Sequence, residues 1–552
     1  MKRFICLIAA MFLFQGMVFS DYSGDTESLI PEDAGIFIKT REISHLLKTA
    51  NYILSTLDNE NKKSFNKNRN QFRSKTGIDY LKNESLKKTG IDTARPISFV
   101  SFDKDNNQDV MAFLVPIINE KDFPLKFIEI IKKIRPDEEL DVYPVITDYN
   151  GSALYQIQKD IFTATVSGYF IIASTGDLVK KILDRQNDRK GSLILNKDYS
   201  DYLSKRNKVF DINVFLSGEF IKRAIDSIPR KDRIVFLDTV EKEREYLYAH
   251  KVKMDASLNV SNDKTKNDFD TKIYDAVEYL SGGIGFSGNK LQISGSVKLD
   301  SNSYYSKALS GLFKTGLAGR MLNIPEADLS LFLSYNLQSL KDLCSKNEPW
   351  RKAYDDMKQG FKSETGVDFE EEFLPAYSGA STVVYVQPED TTEEGSLALF
   401  LSMNNELSTK NIWSKARKHL SAKYSGADKF GEAKYKGGSG GFWFKDESGS
   451  AIHVVYNAKG IYLGTSQEFV IKAMEGSTFN NTKNPGRLGR FINADTYLIF
   501  HLKNSDLLRS FAADRGMDDN LYTGPLSGLG EIFIYCEKKG SYYSIDFDVE
   551  FK

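Results

Sequence analysis

For its 552 residues the chain is poor in several residue types: 3 Cys, 3 Trp, 5 His and 13 Pro. So few cysteines exclude a disulfide-dense scaffold, and no Cys-x-x-Cys pair is present for redox catalysis or a thiolate zinc site. The histidines, His45, His250, His419, His453 and His501, form no His-Glu-x-x-His or His-x-His pair. Each reads as a packed or surface side chain, because a metal site needs several converging ligands. Neither sign of charge is in excess, with 74 Lys plus Arg against 75 Asp plus Glu. That balance argues against a general binder of nucleic acid or of anionic membranes. No Walker loop or Rossmann glycine string occurs, so nucleotide binding has no support. What is present, 41% hydrophobic and 27% charged residues, is the composition of a folded chain. The length suggests about two to four domains.

The N-terminus carries its own signal. Lys2 and Arg3 precede an apolar run from Phe4 to Phe14, and Val18-Phe19-Ser20 follows. This is the pattern of a secretory signal peptide cleaved after Ser20. The run is shorter than the ~20 residues of a spanning helix, and Gln15 and Gly16 interrupt it. No later apolar stretch reaches that length, so no transmembrane segment is expected after cleavage. Cys6 lies inside the apolar run, too early for lipid modification. Cys344 and Cys536 remain, and in an oxidising compartment they form either one disulfide or two buried thiols.

Self-similarity is the most informative feature of the sequence. Ile30-Pro31-Glu32 precedes the β-like run Gly35 to Ile38, and Ile324-Pro325-Glu326 precedes Leu329 to Leu333. Helical patterns follow at 42–75 and 337–364. They end in near-identical stops, Ser74-Lys75-Thr76-Gly77-Ile78-Asp79 and Ser363-Glu364-Thr365-Gly366-Val367-Asp368. Glycine takes the left-handed conformation that ends a helix, and Asp caps whatever comes next. At Asp368, Glu371 three residues on resembles a capping box. Two strands around a polar tip follow in each half, 97–102 with 109–116 and 380–387 with 396–403. Helices come next at 122–134, opened by Asp122, and at 408–421, opened by Ser408. Strands Tyr169 to Thr175 and Ile461 to Ser466 lead into short helices at 177–185 and 467–475. Val209 to Leu216 leads into a helix at 218–227, and Tyr497 to Leu502 into one at 505–514. Each half closes on a hairpin, turned at Gly288-Asn289 and at Lys539-Gly540.

The halves differ at 229–281. Leu237, Val240, Leu247 and Tyr248 make one helical stripe there, and Ile273, Val277 and Leu280 another. This predicts a helical hairpin inserted in the first lobe. The expected organisation is a signal peptide at 1–20, a first α+β lobe at 21–316 with the insertion at 229–281, a linker at 317–323, and a second α+β lobe at 324–552. A helix over 303–316 is expected near the junction. Hairpins rather than βαβ crossovers favour an α+β class, with each lobe an antiparallel sheet carrying helices on one face.

The exported N-terminus, the opening strand Pro31 to Ile38, the segment Lys88 to Ile97 and the run Gly168 to Ile182 together resemble a bacterial exported family catalogued only as a domain of unknown function. The resemblance covers most of the mature chain. It implies an envelope-associated, two-lobed protein, and it brings no catalytic residues.

Few motifs carry chemistry. Gly437-Gly438-Ser439-Gly440-Gly441 matches the Gly-x-Ser-x-Gly string of serine hydrolases. A nucleophile elbow sits between a strand and a helix, yet both flanks here are strand-like. Glycine-rich hairpin sequence is the plainer reading. Asp103 to Asp109 places oxygen ligands at alternate positions, as calcium loops do. It offers Gln108 and Leu114 where an EF-hand needs Gly and Glu, so a solvated acidic turn is the plainer reading. Phe442-Trp443-Phe444 sets Trp443 on the face opposite its neighbours. The alternating C-terminal strand, Tyr543 to Phe551, raises an outer-membrane β-barrel as a rival, against which stand the many helical stripes. The expected protein is an exported, non-enzymatic binding or scaffolding protein of the bacterial envelope, in the periplasm or at the cell surface. No catalytic, metal or cofactor residues are assigned, and its partner is an envelope protein or an apolar molecule. A serine hydrolase using Ser439 is the alternative.

Overall fold

The computed structural model describes residues 26–551 except 57–58, 103–109, 135–144, 207–209, 228–273, 325, 346–347, 389–394, 427, 447–448, 480–486 and 504–528. The signal-peptide region, the Asp103–Asp109 loop, the Leu237–Tyr248 stripe and the helix at 505–514 therefore lie outside the described residues. The described chain divides into two units between Lys298 and Leu299.

In the first unit, apolar runs bounded by turn residues make strands β1 (Ile36–Glu42), β2 (Pro96–Ser101), β3 (Met111–Pro116), β4 (Val145–Tyr149), β5 (Ser152–Gln158), β6 (Ile161–Val166), β7 (Tyr169–Ala173), β8 (Ile212–Ser217), β9 (Val277–Ser287) and β10 (Lys290–Leu299). They form one antiparallel sheet in the order β4-β5-β6-β7-β3-β2-β1-β8-β9-β10. The β6–β7 turn puts Ser167 at φ 49° and Gly168 at φ 76°, the paired left-handed residues of a tight hairpin. The guanidinium of Arg95 closes it, donating to the carbonyls of Gly168 and Ser167 at 3.2 Å each.

The helices are α1 (Ile43–Thr56), α2 (Asn59–Thr76), α3 (Asn83–Thr89), α4 (Phe123–Ile134), α5 (Gly176–Asn187), α6 (Lys197–Lys205) and α7 (Gly218–Ser227). They cover both faces of the sheet. Cross-strand register aligns Phe113 with Phe99 and Phe99 with Ile38, so Phe37 points the other way. Phe170, paired with Val115 on the Phe113 side, takes Phe123 of α4 at 5.1 Å. Phe37 takes Tyr199 of α6 at 5.7 Å on the opposite side. The expectation of helices on one face is thus corrected. A strand such as Tyr169-Phe170-Ile171-Ile172-Ala173 is apolar on both faces and must bury both.

In the second unit, strands β11 (Leu329–Ser334), β12 (Tyr377–Val386), β13 (Ser396–Met403), β14 (Phe430–Glu432), β15 (Gly440–Lys445), β16 (Ala451–Asn457), β17 (Gly460–Gly464), β18 (Thr496–Leu502), β19 (Leu529–Lys539) and β20 (Tyr542–Phe551) form an antiparallel sheet. Its order is β14-β15-β16-β17-β13-β12-β11-β18-β19-β20. Strand for strand, this is the order of the first unit. Its helices are α8 (Tyr304–Leu312), α9 (Leu337–Ser345), α10 (Glu348–Thr365), α11 (Glu406–Lys423) and α12 (Gln467–Glu475). Trp413 of α11 packs on Phe442 and Tyr456, while Phe469 and Val470 of α12 join Phe400 and Tyr462 on the other face. Sheets covered by helices on both faces are not the wall of a membrane barrel. Among the described residues no helix is long and apolar enough to cross a membrane.

Several local expectations shift. Val277 and Leu280 lie in strand β9, not in a helical stripe. The unit boundary precedes the linker expected at 317–323, because α8 belongs to the second unit. There Lys538 Nζ donates to the Phe313 carbonyl at 2.9 Å, just past the end of α8. Helix α11 is capped by Asn405, whose side chain accepts the Ser408 N–H at 2.8 Å. Cys344 and Cys536 are both free and buried. Burial raises the Cys536 thiol to about 11.

The matched helix stops fold alike. Thr76 Oγ1 donates to the Phe72 carbonyl at 2.8 Å and accepts the Ile78 N–H at 3.1 Å. Thr365 does the same with Phe361 at 2.7 Å and Val367 at 3.2 Å. Between them stand Gly77 at φ 76° and Gly366 at φ 68°. At Asp368 the box closes through Glu372, which accepts the Asp368 N–H at 3.0 Å, rather than through Glu371. The reason is the wider π-helical turn Phe369–Phe373, which moves the returning carboxylate one residue on.

The two glycines separate conformation from contact. A Cβ at Gly77 meets nothing within 4 Å, whereas one at Gly366 meets His419 Cβ at 2.6 Å and Cγ at 2.7 Å. Gly77→Ala is expected to cost about 1 kcal/mol from its left-handed backbone alone. Gly366→Ala should cost about 2–3 kcal/mol, because His419 must also move. Urea midpoints of the two variants check this, and equal shifts would refute it.

Candidate functional site

Buried ionisable groups mark possible chemistry. In the first unit they serve the fold. Glu27, with a side chain 3% exposed, accepts from Lys39 Nζ at 2.8 Å on each carboxylate oxygen. Tyr199 donates to the same carboxylate at 3.2 Å, as does Thr26. Burial, then the Glu27 charge, holds Tyr199 well above the usual phenol range, so its hydroxyl stays a donor. Asp211, wholly buried, accepts the Phe286 N–H at 2.6 Å near Arg41. Burial outweighs that bond and the Arg41 charge, and raises its carboxyl to about 7. Its backbone bonds Arg41 at 3.0 Å and Ile284 at 2.8 Å, tying β1, β8 and β9 together.

Ser439 lies between strands β14 and β15, not at a strand-to-helix elbow. Its Oγ donates to Glu406 Oε1 at 3.3 Å, and its N–H to the Tyr456 carbonyl at 2.8 Å. His453 Nδ1 meets the Tyr435 hydroxyl at 2.8 Å, while His501 stacks on Phe533 at 4.4 Å. The structure thus gives Ser439, His453 and His501 separate partners. Trp443 is half-buried against Gly431 on the neighbouring strand. Among the described residues no group of His, Cys, Asp and Glu is placed to hold a metal.

A concavity with convergent polar groups lies in the second unit, where β11 leaves the sheet to enter α9. Pairing of β11 with β12 stops at Ser334–Ala380, and the register of β12 against β13 slips between Tyr377 and Ser381. Such a bulge bends its strand and ends pairing. The splayed chains leave a cleft of about 340 Å³. Tyr335, Leu337, Leu374, Pro375 and Tyr377 form its apolar walls. The rings of Tyr335 and Tyr377 lie 5.8 Å apart.

Polar anchors fix the rim. The Tyr335 N–H donates to the Gly379 carbonyl at 2.8 Å. Gly379, at φ 98°, permits this approach, since a Cβ there would stand 2.8 Å from the Tyr335 carbonyl oxygen. Ser334 Oγ donates to the Lys314 carbonyl at 2.6 Å, and Lys314 Nζ donates to the Ser378 carbonyl at 2.8 Å. Asn336 Oδ1 accepts the Gln338 N–H at 3.1 Å at the start of α9. The Tyr377 hydroxyl is buried and makes no hydrogen bond. Burial, then Tyr335, drives its ionisation far above the ordinary phenol range; the Ser381 and Tyr335 hydroxyls are near enough to affect it yet outside bonding geometry. It is therefore a neutral donor. Sequence reasoning assigned none of these residues. The available signal was Tyr377-Ser378-Gly379 at the opening of a strand, since glycine inside a strand marks a bulge or a close approach.

No family model matches the chain, and no curated protein matches it. Among solved structures, the chain is similar to three titled as crystal forms I, III and IV of TP0453. Form I has 10% identity over 51% of this chain and 81% of that one, with a TM-score of 0.23. Form III has 12% identity over 40% and 74%, with a TM-score of 0.22. Scores of this size carry neither fold nor function across.

Asp211 gives the fold a pH signature. Its folded carboxyl titrates at about 7 against an ordinary value of 3.8. Between these values the folded chain holds a proton that the unfolded chain has released, so stability falls as pH rises through the window and is level above it. Asp211→Asn keeps an acceptor for Phe286 and removes the titration. Its melting temperature relative to the natural chain should rise between pH 4.5 and 7.5. A difference that is constant with pH would refute the assignment.

Proposed function

We propose that the protein is an exported, non-enzymatic binding protein of the bacterial cell envelope, built by duplication of an α+β lobe. In this reading the cleft beside β12 holds a small apolar molecule. The cleft carries the proposal: it is concave, apolar-walled and rimmed by a few fixed polar groups, the usual make-up of a small-molecule site. Its volume of about 340 Å³ falls within the usual range of such sites, about 300–1,000 Å³. Export rests on Lys2 to Ser20 and on the family resemblance carried by Pro31 to Ile38, Lys88 to Ile97 and Gly168 to Ile182. Duplication is supported by the repeated strand order and the twin Thr-Gly helix stops.

The non-enzymatic reading draws on Ser439. A nucleophile needs a base at about 2.6–3.2 Å and backbone donors for an oxyanion. The Ser439 hydroxyl donates to the Glu406 carboxylate at 3.3 Å, just outside that range, and it sits on a turn between strands rather than at a strand-to-helix elbow, with His453 and His501 engaged by Tyr435 and Phe533. A serine-reactive fluorophosphonate is expected to leave the purified protein unlabelled. Stoichiometric labelling that disappears in Ser439→Ala would install the hydrolase alternative.

Binding is tested by native mass spectrometry of protein taken from its own envelope without detergent. The natural chain should carry an added small-molecule mass that denaturation releases. Leu374→Trp, which fills the cleft, should run bare. Two bare chains, or an added mass retained in the variant, would remove the reading.

A further inference from the structure

We infer that the molecule held in the cleft carries one anionic group on its apolar body. The inference rests on the binding reading above and adds the charge of the ligand. Lys314 is exposed at the rim, and its bond to the Ser378 carbonyl uses one of three ammonium N–H groups. Among the described residues that line the cleft none is Asp or Glu, and Lys314 is the one with a formal charge. Leu337 and Gln338, the first residues of the nine-residue helix α9, also line it. The positive end of that helix dipole therefore adds to the Lys314 charge. Tyr377, 6% exposed and lining the same cleft, has a buried hydroxyl with no acceptor.

These features agree on one chemistry. An ammonium with N–H groups beyond its bond to Ser378, beside a helix N-terminus, favours a carboxylate, sulfonate or phosphate. The walls of Tyr335, Leu337, Leu374 and Pro375 favour rings or alkyl chains beside it. A cation would meet repulsion from Lys314 and find no carboxylate in the cleft. A neutral apolar molecule would bind without using the rim charge. Because Lys314 is exposed, the anion's advantage is modest, on the order of fivefold in affinity.

The test uses the full chain and two fluorescent probes of similar ring system. One is 8-anilinonaphthalene-1-sulfonate, an apolar body with one anionic group; the other is neutral N-phenyl-1-naphthylamine. Both should bind at one equivalent, and Leu374→Trp should abolish both. Lys314→Met, whose fold is checked by melting, removes the ammonium and its bond to the Ser378 carbonyl; the lost bond affects both probes alike, so the sulfonate should weaken about fivefold more than the neutral probe. Lys314→Glu should weaken the sulfonate further, and raised salt should erase the difference between natural chain and Lys314→Met. Unchanged sulfonate binding in Lys314→Met, or equal loss of both probes, would overturn the anionic assignment while leaving an apolar site. Failure of either probe to bind, or binding that survives Leu374→Trp, would overturn the cleft itself.

Discussion

Burial of both faces of an antiparallel sheet is the constraint on which the rest of each unit depends. A strand apolar on one side needs one layer of helices, and a strand apolar on both needs two. Phe37 and Phe170 make the point in the first unit. They face opposite ways, and an aromatic ring from a different helix covers each. The second unit repeats the arrangement with Trp413 on one face and Phe469 on the other. Fixed strand order and two covering layers leave little freedom in the middle of the sheet. Variation is displaced to the ends of strands, where pairing stops.

That displacement explains what the sequence made legible. The matched helix stops, the hairpin turns at Gly288 and Gly540 and most strands were readable, because each follows from local chemistry: a left-handed glycine, a capping side chain, an apolar run. The second helical layer was missed. An apolar run such as Tyr169 to Ala173 states that it is buried without stating by what. Val277 and Leu280 read equally as helix and strand over so short a span, and the pairing of β9 with β8 decided it for strand. The cleft was harder still. Its residues come from three separate stretches, Lys314, Tyr335–Gln338 and Leu374–Gly379, which meet beside the bulge in β12.

The first strand of each unit buries a polar residue, Lys39 in β1 and Ser334 in β11. Both are polar and buried, and both tether a preceding segment to the sheet. In the first unit the tether is an ion pair with Glu27. In the second it is a hydroxyl bonded to the Lys314 backbone, which places that residue's ammonium at the rim of the cleft. Holding down the incoming chain thus also sets the position of a charge in the second unit.

The Glu27 carboxylate also ties distant parts of the chain together. Its partners Lys39 and Tyr199 lie 12 and 172 residues along the chain. The ion pair is local, whereas the hydroxyl that completes its buried shell comes from α6, a helix that follows seven strands in sequence. The entropy of closing a loop grows only with the logarithm of its length. One tyrosine thus joins the N-terminal turn to a remote helix at little more entropic cost than a near one would.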